Sequence, residues 1–238
     1  MSDRSVVVSI HALDTGAGDG LVADASVFDE LQCAFASVVT SVLVPEPLPL
    51  DVVSRQLESV LRQGPLGAVR VGFVHGAPQV ETIAHFLRRS APENSVFAPA
   101  LRSGTEDLAD AETRSSMARH LYPAARVVVA RAAELQLLIG QDVDDLAGLR
   151  DAASRLQEQG ARAVVISGLF LRGRVIDLLA NGNDVTLFDT ARVQAPHVAG
   201  LSGSYAAALA GHIARGLSLR DAAESAQRYV GFRIQRGR

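Results

Sequence analysis

HALDTGAGDGLVADASVFDEL, residues 11–31, follows an apolar run from Ser5 to His11 that reads as a strand. Its glycines, Gly16, Gly18 and Gly20, mean that the backbone either takes left-handed geometry or lets a ligand come very close. The residues beyond, Leu21 to Gln32, have helical period. Strand, glycine loop and helix open a parallel-sheet unit, and the rest of the chain repeats the alternation. Further strands are expected at Ala36 to Val44, Ala68 to Val74, Ser95 to Ala98, Arg126 to Val129, Ala163 to Ser167, Val175 to Leu179 and Val185 to Asp189. Helices are expected at Asp51 to Gln63, Pro78 to Arg89, Asp110 to Leu121, Ala132 to Ile139, Val143 to Gln159, Ser202 to Arg215 and Ser218 to Gln235. Ala180-Asn181-Gly182-Asn183 reads as a hairpin turn, which places an antiparallel edge on an otherwise parallel sheet. Such sheets bind ligands outside the carboxyl ends of their strands.

With 238 residues, of which 48% are hydrophobic, the chain can bury a full core without metals or disulfides. No linker divides it, so residues 1–238 are expected to form a single domain. The one cysteine, Cys33, reads as a buried small hydrophobe and suits a reducing compartment. The first residues carry too short an apolar run for a signal peptide, and no run approaches the ~20 residues of a membrane span. A cytoplasmic protein with no membrane partner is the expectation. A net charge of -3, with arginines scattered rather than clustered, gives no footprint for nucleic acid. All 23 lysine-plus-arginine positions are arginine. A Walker-type phosphate loop and a Schiff-base mechanism both need lysine and are excluded.

Residues 11–31 resemble AGSDSGGGAGIQADLKTF, the opening motif of the hydroxymethylpyrimidine and phosphomethylpyrimidine kinases of thiamine biosynthesis, with Asp14, Gly18, Gly20, Ala23, Asp24 and Phe28 in register. Four further anchors keep the family's order. Ala68 to Phe73 (AVRVGF) resembles AVKTGM, and Pro99 with Arg102-Ser103-Gly104 resembles DPVMVAKSG. Arg131 to Gly140 resembles NLPEAEVLTG, and His197 to Ala208 (HVAGLSGSYAAA) resembles HTHGTGCTFSAA. The resemblance covers essentially the whole chain and implies a ribokinase-like α/β/α sandwich. DTGAGD also has the letters of that superfamily's C-terminal phosphate loop. Circular permutation does not explain them, because residues after Asp19 do not continue as the catalytic helix does and Gly200 to Ser204 already supplies that loop.

In the family the N-terminal loop closes on the substrate ring. The resemblance therefore implies substrate contacts at Asp14, Gly16, Gly18, Asp19 and Phe73, and an anion loop of Gly200, Leu201, Ser202, Gly203 and Ser204. It places Arg131 on the nucleotide side and Glu134 at the metal. The departures bear on chemistry. Gly203 stands where the family keeps its base, and loss of a general base typically costs ~10²- to 10⁴-fold. Asp19 is a candidate relocated base, or a turn aspartate beside a positive helix end. Arg131 replaces an asparagine and either pairs with phosphate or neutralises Glu134. Ala98 replaces an aspartate, and Ser167-Gly168-Leu169-Phe170 replaces KGGH. On the substrate side Pro45 replaces a glutamine, while Phe73, in place of a methionine, is an apolar wall or plain core. His197 reads as structural. The segment Pro45 to Leu50 is expected to be too short for a lid strand, leaving the site open to water.

If active, the chain would take ATP and magnesium; otherwise it would need neither. Its partner would be a small heteroaromatic ligand, and the resemblance implies a homodimer. Two readings stand: a kinase for a ring hydroxymethyl group, impaired at Gly203, or a non-catalytic binding descendant.

Overall fold

In the computed structural model, which describes residues 6–13, 20–43, 46–91, 93–103, 106–192 and 201–236, the β-branched runs form strands and the 3.6-period segments form helices. The strands are β1 (Val6–His11), β2 (Ala34–Val39), β3 (Ser41–Leu43), β4 (Glu46–Pro47), β5 (Leu66–Val71), β6 (Ser95–Phe97), β7 (Arg102–Ser103), β8 (Glu106–Asp107), β9 (Val127–Arg131), β10 (Ala163–Leu171), β11 (Arg174–Asn181) and β12 (Asp184–Ala191). The helices are α1 (Gly20–Glu30), α2 (Leu50–Leu61), α3 (Gly76–Ser90), α4 (Ala111–Ser116, running on into a π-helical turn), α5 (Leu135–Ile139), α6 (Leu146–Glu158), α7 (Leu201–Ala214) and α8 (Leu219–Arg236).

Eight strands form one sheet in the order β12-β11-β10-β9-β6-β5-β1-β2. Pairing is parallel from β2 to β10 and antiparallel at β10-β11 and β11-β12. The expected edge hairpin turns between Asn181 and Asp184, with Gly182 at φ +60°. A second hairpin joins β10 to β11 through Arg172 and Gly173, at φ +49° and +77°. Positive φ at both turn residues matches the twist of the strands it connects.

Alternate residues of each central strand feed two cores. Val8, Ile10, Val69, Val71 and Val128 pack with α2 to α6, while Val7, Ala68, Val127 and Val165 pack with α1, α7 and α8. The result is three layers, α/β/α. Cys33 is half-buried rather than buried, its Sγ 3.7 Å from the Gly211 carbonyl.

Two expectations are corrected. The segment after β2 does form a short two-stranded hairpin, β3 with β4, pinned by Gln79 of α3, whose Nε2 donates to the Thr40 and Leu48 carbonyls. Residues 102–103 and 106–107 pair likewise, β7 with β8, where no element was expected. Finally, the strand expected to end at Ser167 continues to Leu171 through a bulge, with Gly168 at φ +80°. Asp177 of β11 holds that bulge by accepting a 2.8 Å hydrogen bond from the Gly168 N–H.

One polar residue on each of β1, β5 and α1 meets beneath α7. Ser9 Oγ donates to Asp24 Oδ2 at 2.5 Å, and Arg70 Nε lies 3.3 Å from the same oxygen. Asp24 is 0% and Arg70 2% exposed.

Breaking such a buried pair from one side leaves an uncompensated charge. Asp24→Ala is expected to cost about 3–5 kcal/mol in urea unfolding, and Asp24→Leu combined with Arg70→Met is expected to recover most of it. Asp177 generates a second prediction. Burial pushes its carboxyl up to about 6, against hydrogen bonds from Gly168 and Gln227. The folded chain then holds this proton more tightly than the unfolded chain. The stability linked to it is present below about pH 4, falls as pH rises to about 6, and is constant above, a loss of roughly 3 kcal/mol. Asp177→Asn keeps the acceptor for Gly168 and is expected to flatten that fall in Tm measured from about pH 4 to 7.

Candidate functional site

Where β5, β6, β9 and β10 end and α7 begins, a small cleft opens to solvent. Its polar lining is Arg70, Arg102, Arg131, Glu134 and Ser167, its apolar wall includes Ala98 and Pro99, and Gly203 closes one side. Strand ends supply most of these residues because side chains at the carboxyl edge of a parallel sheet project beyond the covering helices. The first turn of α7 adds N–H groups and the positive end of its helix dipole. Three guanidiniums and one carboxylate therefore face a common space.

Each guanidinium has a different setting. Arg102 Nε donates to Asp107 Oδ1 at 2.9 Å across the small β7-β8 hairpin, both side chains being about half exposed. Arg131 Nη1 lies 3.6 Å from Glu134 Oε1, with Arg131 half exposed and Glu134 nearly buried. Arg70 is sealed, and apart from its ion pair with Asp24 its Nη1 meets no hydrogen-bond acceptor among the described residues. The residue borders the cleft, while Nη1 itself lies against Gly72 and His11.

Close packing fixes the Arg70 guanidinium. A Cβ on Gly72 would fall 1.8 Å from Arg70 Nη1 and 2.0 Å from His11 Cδ2, so only glycine fits there. His11 is buried, and its Nδ1 accepts from the Ala12 N–H at 2.7 Å. Burial, with Arg70 close by, holds its pKa well below the usual histidine range, so the ring is neutral.

Of the site residues expected from sequence, Arg131, Glu134 and Gly203 are brought to this one cleft, with Ala98 and Ser167 beside them. Arg131 and Glu134 form the ion pair that was one of the two alternatives. Ser204 is 1% exposed, and its Oγ accepts from Arg233 Nη1 of α8 at 2.8 Å, so its hydroxyl is engaged by α8. Phe73 is 1% exposed and does not line the cleft, which is the core reading of that residue. Asp14, Gly16, Gly18, Asp19, Pro45, His197 and Gly200 lie outside the described residues, as do the side chains of Leu201 and Ser202. Arg70 and Arg102 were not singled out as site residues. The available signal was an arginine inside the apolar run AVRVGF, since a charge in a central parallel strand is almost never buried without a purpose.

A family model described as phosphomethylpyrimidine kinase matches residues 14–237. The hydroxymethylpyrimidine/phosphomethylpyrimidine kinase of Haemophilus influenzae is 28% identical over 245 aligned residues, covering 97% of this chain and 91% of that one. The pyridoxal kinase of Staphylococcus aureus in complex with ADP superimposes with a TM-score of 0.88 at 27% identity, covering 97% of this chain and 88% of that one. In complex with pyridoxal the same kinase gives a TM-score of 0.87 at 26% identity, covering 98% and 88%. The fold is the ribokinase-like α/β/α sandwich, with its antiparallel edge. A match over nearly every residue, together with a whole-chain relative of the same description, places this chain in the phosphomethylpyrimidine kinase family.

Proposed function

We propose that this chain is an ATP-dependent phosphotransferase of thiamine biosynthesis, acting on a heteroaromatic ring that carries a hydroxymethyl group or its phosphate. The observation that carries the reading is the cleft, where Arg70, Arg102 and Arg131 converge on the start of α7. Phosphoryl transfer asks a protein chiefly for positioning and for positive charge around the moving group. The names of the relatives support the same chemistry: one is a kinase for the pyrimidine and its phosphate, and another has been solved with ADP and with pyridoxal, a ring of similar kind.

Magnesium fits this donor set in a limited way. Among the described residues no cluster of three or more His, Cys, Asp or Glu side chains is positioned to hold a metal. Magnesium, however, needs only one or two carboxylates when phosphates supply other oxygens. Glu134 is the carboxylate lining the cleft. When bound with the nucleotide, the ion would neutralise charge on the phosphates. Arg131 holds Glu134 in place, and Arg70 and Arg102 orient the phosphoryl oxygens.

Gly203 supplies no base, so transfer to a free hydroxyl is slow on this reading. The same glycine, with Ala98 and the Arg131 to Glu134 pair, favours a second reading, a non-catalytic binding protein descended from these kinases. A homodimer fits either reading, because edge strand β2 exposes Phe35 and the hairpin beyond it exposes Val42.

Titration with magnesium ATP separates the readings. Binding in the range of roughly 1 µM–1 mM, weakened by Glu134→Gln only when magnesium is present, is expected for the phosphotransferase. No binding, and no phosphorylated ring by mass spectrometry, would establish the non-catalytic descendant. Light scattering is expected to give twice the 25.1 kDa chain mass.

A further inference from the structure

We propose that Arg233, near the end of α8, is a positioning residue for the anion held at the start of α7, an inference that rests on the phosphotransferase reading above. The buried face of α8 is tied to its neighbours along its length. Tyr205 Oη of α7 donates to the Ala223 carbonyl at 3.1 Å, and Gln227 Nε2 donates to the Phe188 carbonyl of β12 at 3.2 Å. Further along, the helix so held delivers the half-buried Arg233 to the first turn of α7, where Nη1 donates to Ser204 Oγ at 2.8 Å. Tyr229, one turn before Arg233, meets the same guanidinium, and its hydroxyl donates to Glu30 Oε2 at 2.8 Å. Ser204 is 1% exposed and follows Gly203, which lines the cleft. A guanidinium therefore stands against the helix turn that borders the cleft, reaching it from the protein side.

For folding alone, the position of this cation is a compromise. The first turn of α7 carries the positive end of a helix dipole, which favours anions and disfavours cations. The last turn of α8 carries the negative end of another, which favours Arg233. In the ligand-free protein the two effects oppose one another, and the charge gains little. An anion at the start of α7 changes the balance. The negative end of α8 would repel it, and Arg233 replaces that repulsion with attraction. The hydrogen bond to Ser204 also fixes one side of the turn, so its N–H groups are set before the anion arrives. Positive charge held in place beforehand is what a phosphoryl group in transfer requires. No bond forms or breaks at Arg233; it acts through α7.

The full chain is titrated by calorimetry with magnesium ATP and no acceptor ring, and Tm is measured on the ligand-free protein. Arg233→Gln keeps a donor but removes the charge. It is expected to weaken ATP binding roughly 3- to 10-fold while leaving the ligand-free Tm within about 2 °C of the unsubstituted chain. Arg233→Lys restores the charge, and because the contact to Ser204 is a single hydrogen bond it is expected to recover affinity to within about twofold. Arg236→Gln makes the same change of net charge on a guanidinium that stacks 4.2 Å from the Phe232 ring, and is expected to leave affinity unchanged. Ser204→Ala, which releases the guanidinium from the turn, serves where Arg233→Gln does not fold and is expected to weaken ATP about threefold. Unchanged ATP affinity in Arg233→Gln, whatever its Tm, would reduce the contact to a structural link between two helices and overturn the inference while the phosphotransferase reading stands. An equal loss in Arg236→Gln would assign the effect to net charge and overturn it in the same way. An unsubstituted chain that binds no magnesium ATP would overturn both.

Discussion

Arg70 and Asp24 face each other 3.3 Å apart with almost no access to water, and the arrangement of the sheet's carboxyl edge follows from that pair. Two charges taken out of solvent cost several kcal/mol each, which attraction repays only when the geometry is good and the remaining polar atoms are satisfied. Here Ser9 supplies a third polar contact from the neighbouring strand, in register with Arg70 across β1 and β5. One ion pair thus ties both strands to α1 at the point where the chain's path through the sheet reverses, since β2 lies on one side of β1 and β5 on the other. That is also where open α/β sheets leave a crevice for ligands. Gly72 and His11 then pack against the guanidinium so closely that its position allows little adjustment.

The fold was legible because its signal is repeated. All eight expected strands and all eight expected helices correspond to observed elements, and their ends differ by a few residues where capping rather than periodicity decides. The β10-β11 hairpin was missed because its turn, Arg172-Gly173, carries only one glycine, and the leading residue adopts positive φ without being asparagine or glycine. The two small hairpins were missed because two- and three-residue strands have no periodicity to detect.

The site was legible in outline only. A linear motif brought Arg131, Glu134 and Gly203 to one cleft because the loops that follow parallel strands all open at the same edge. It could not show that Ser204, one residue beyond Gly203, would turn to Arg233 on α8, because helical geometry separates neighbouring side chains by about 100°. Nor could it show that Arg70 would be buried and lining the cleft at once. That depends on α1 placing Asp24 over β5, a tertiary fact with no local signature. Phe73 is buried instead of lining the cleft, and its backbone is tied to the end of β2, Thr40 Oγ1 donating to the Phe73 carbonyl at 2.8 Å.

The replacement of the family's lysine by Arg70 has its own chemical logic. A lysine at this position would bring one compact ammonium to Asp24, and the pairing would absorb it. A guanidinium is a planar fork with five N–H donors, so it can neutralise a carboxylate through Nε and still direct another nitrogen elsewhere. The geometry follows that division, with Nε towards Asp24 and Nη1 against Gly72 and His11. The same side chain thus anchors the buried pair and borders the cleft, and Asp24 offsets the desolvation of its charge. Arginine at 70 and glycine at 203 thus stand at the same cleft, the one a fixed, internally paired cation and the other without a side chain.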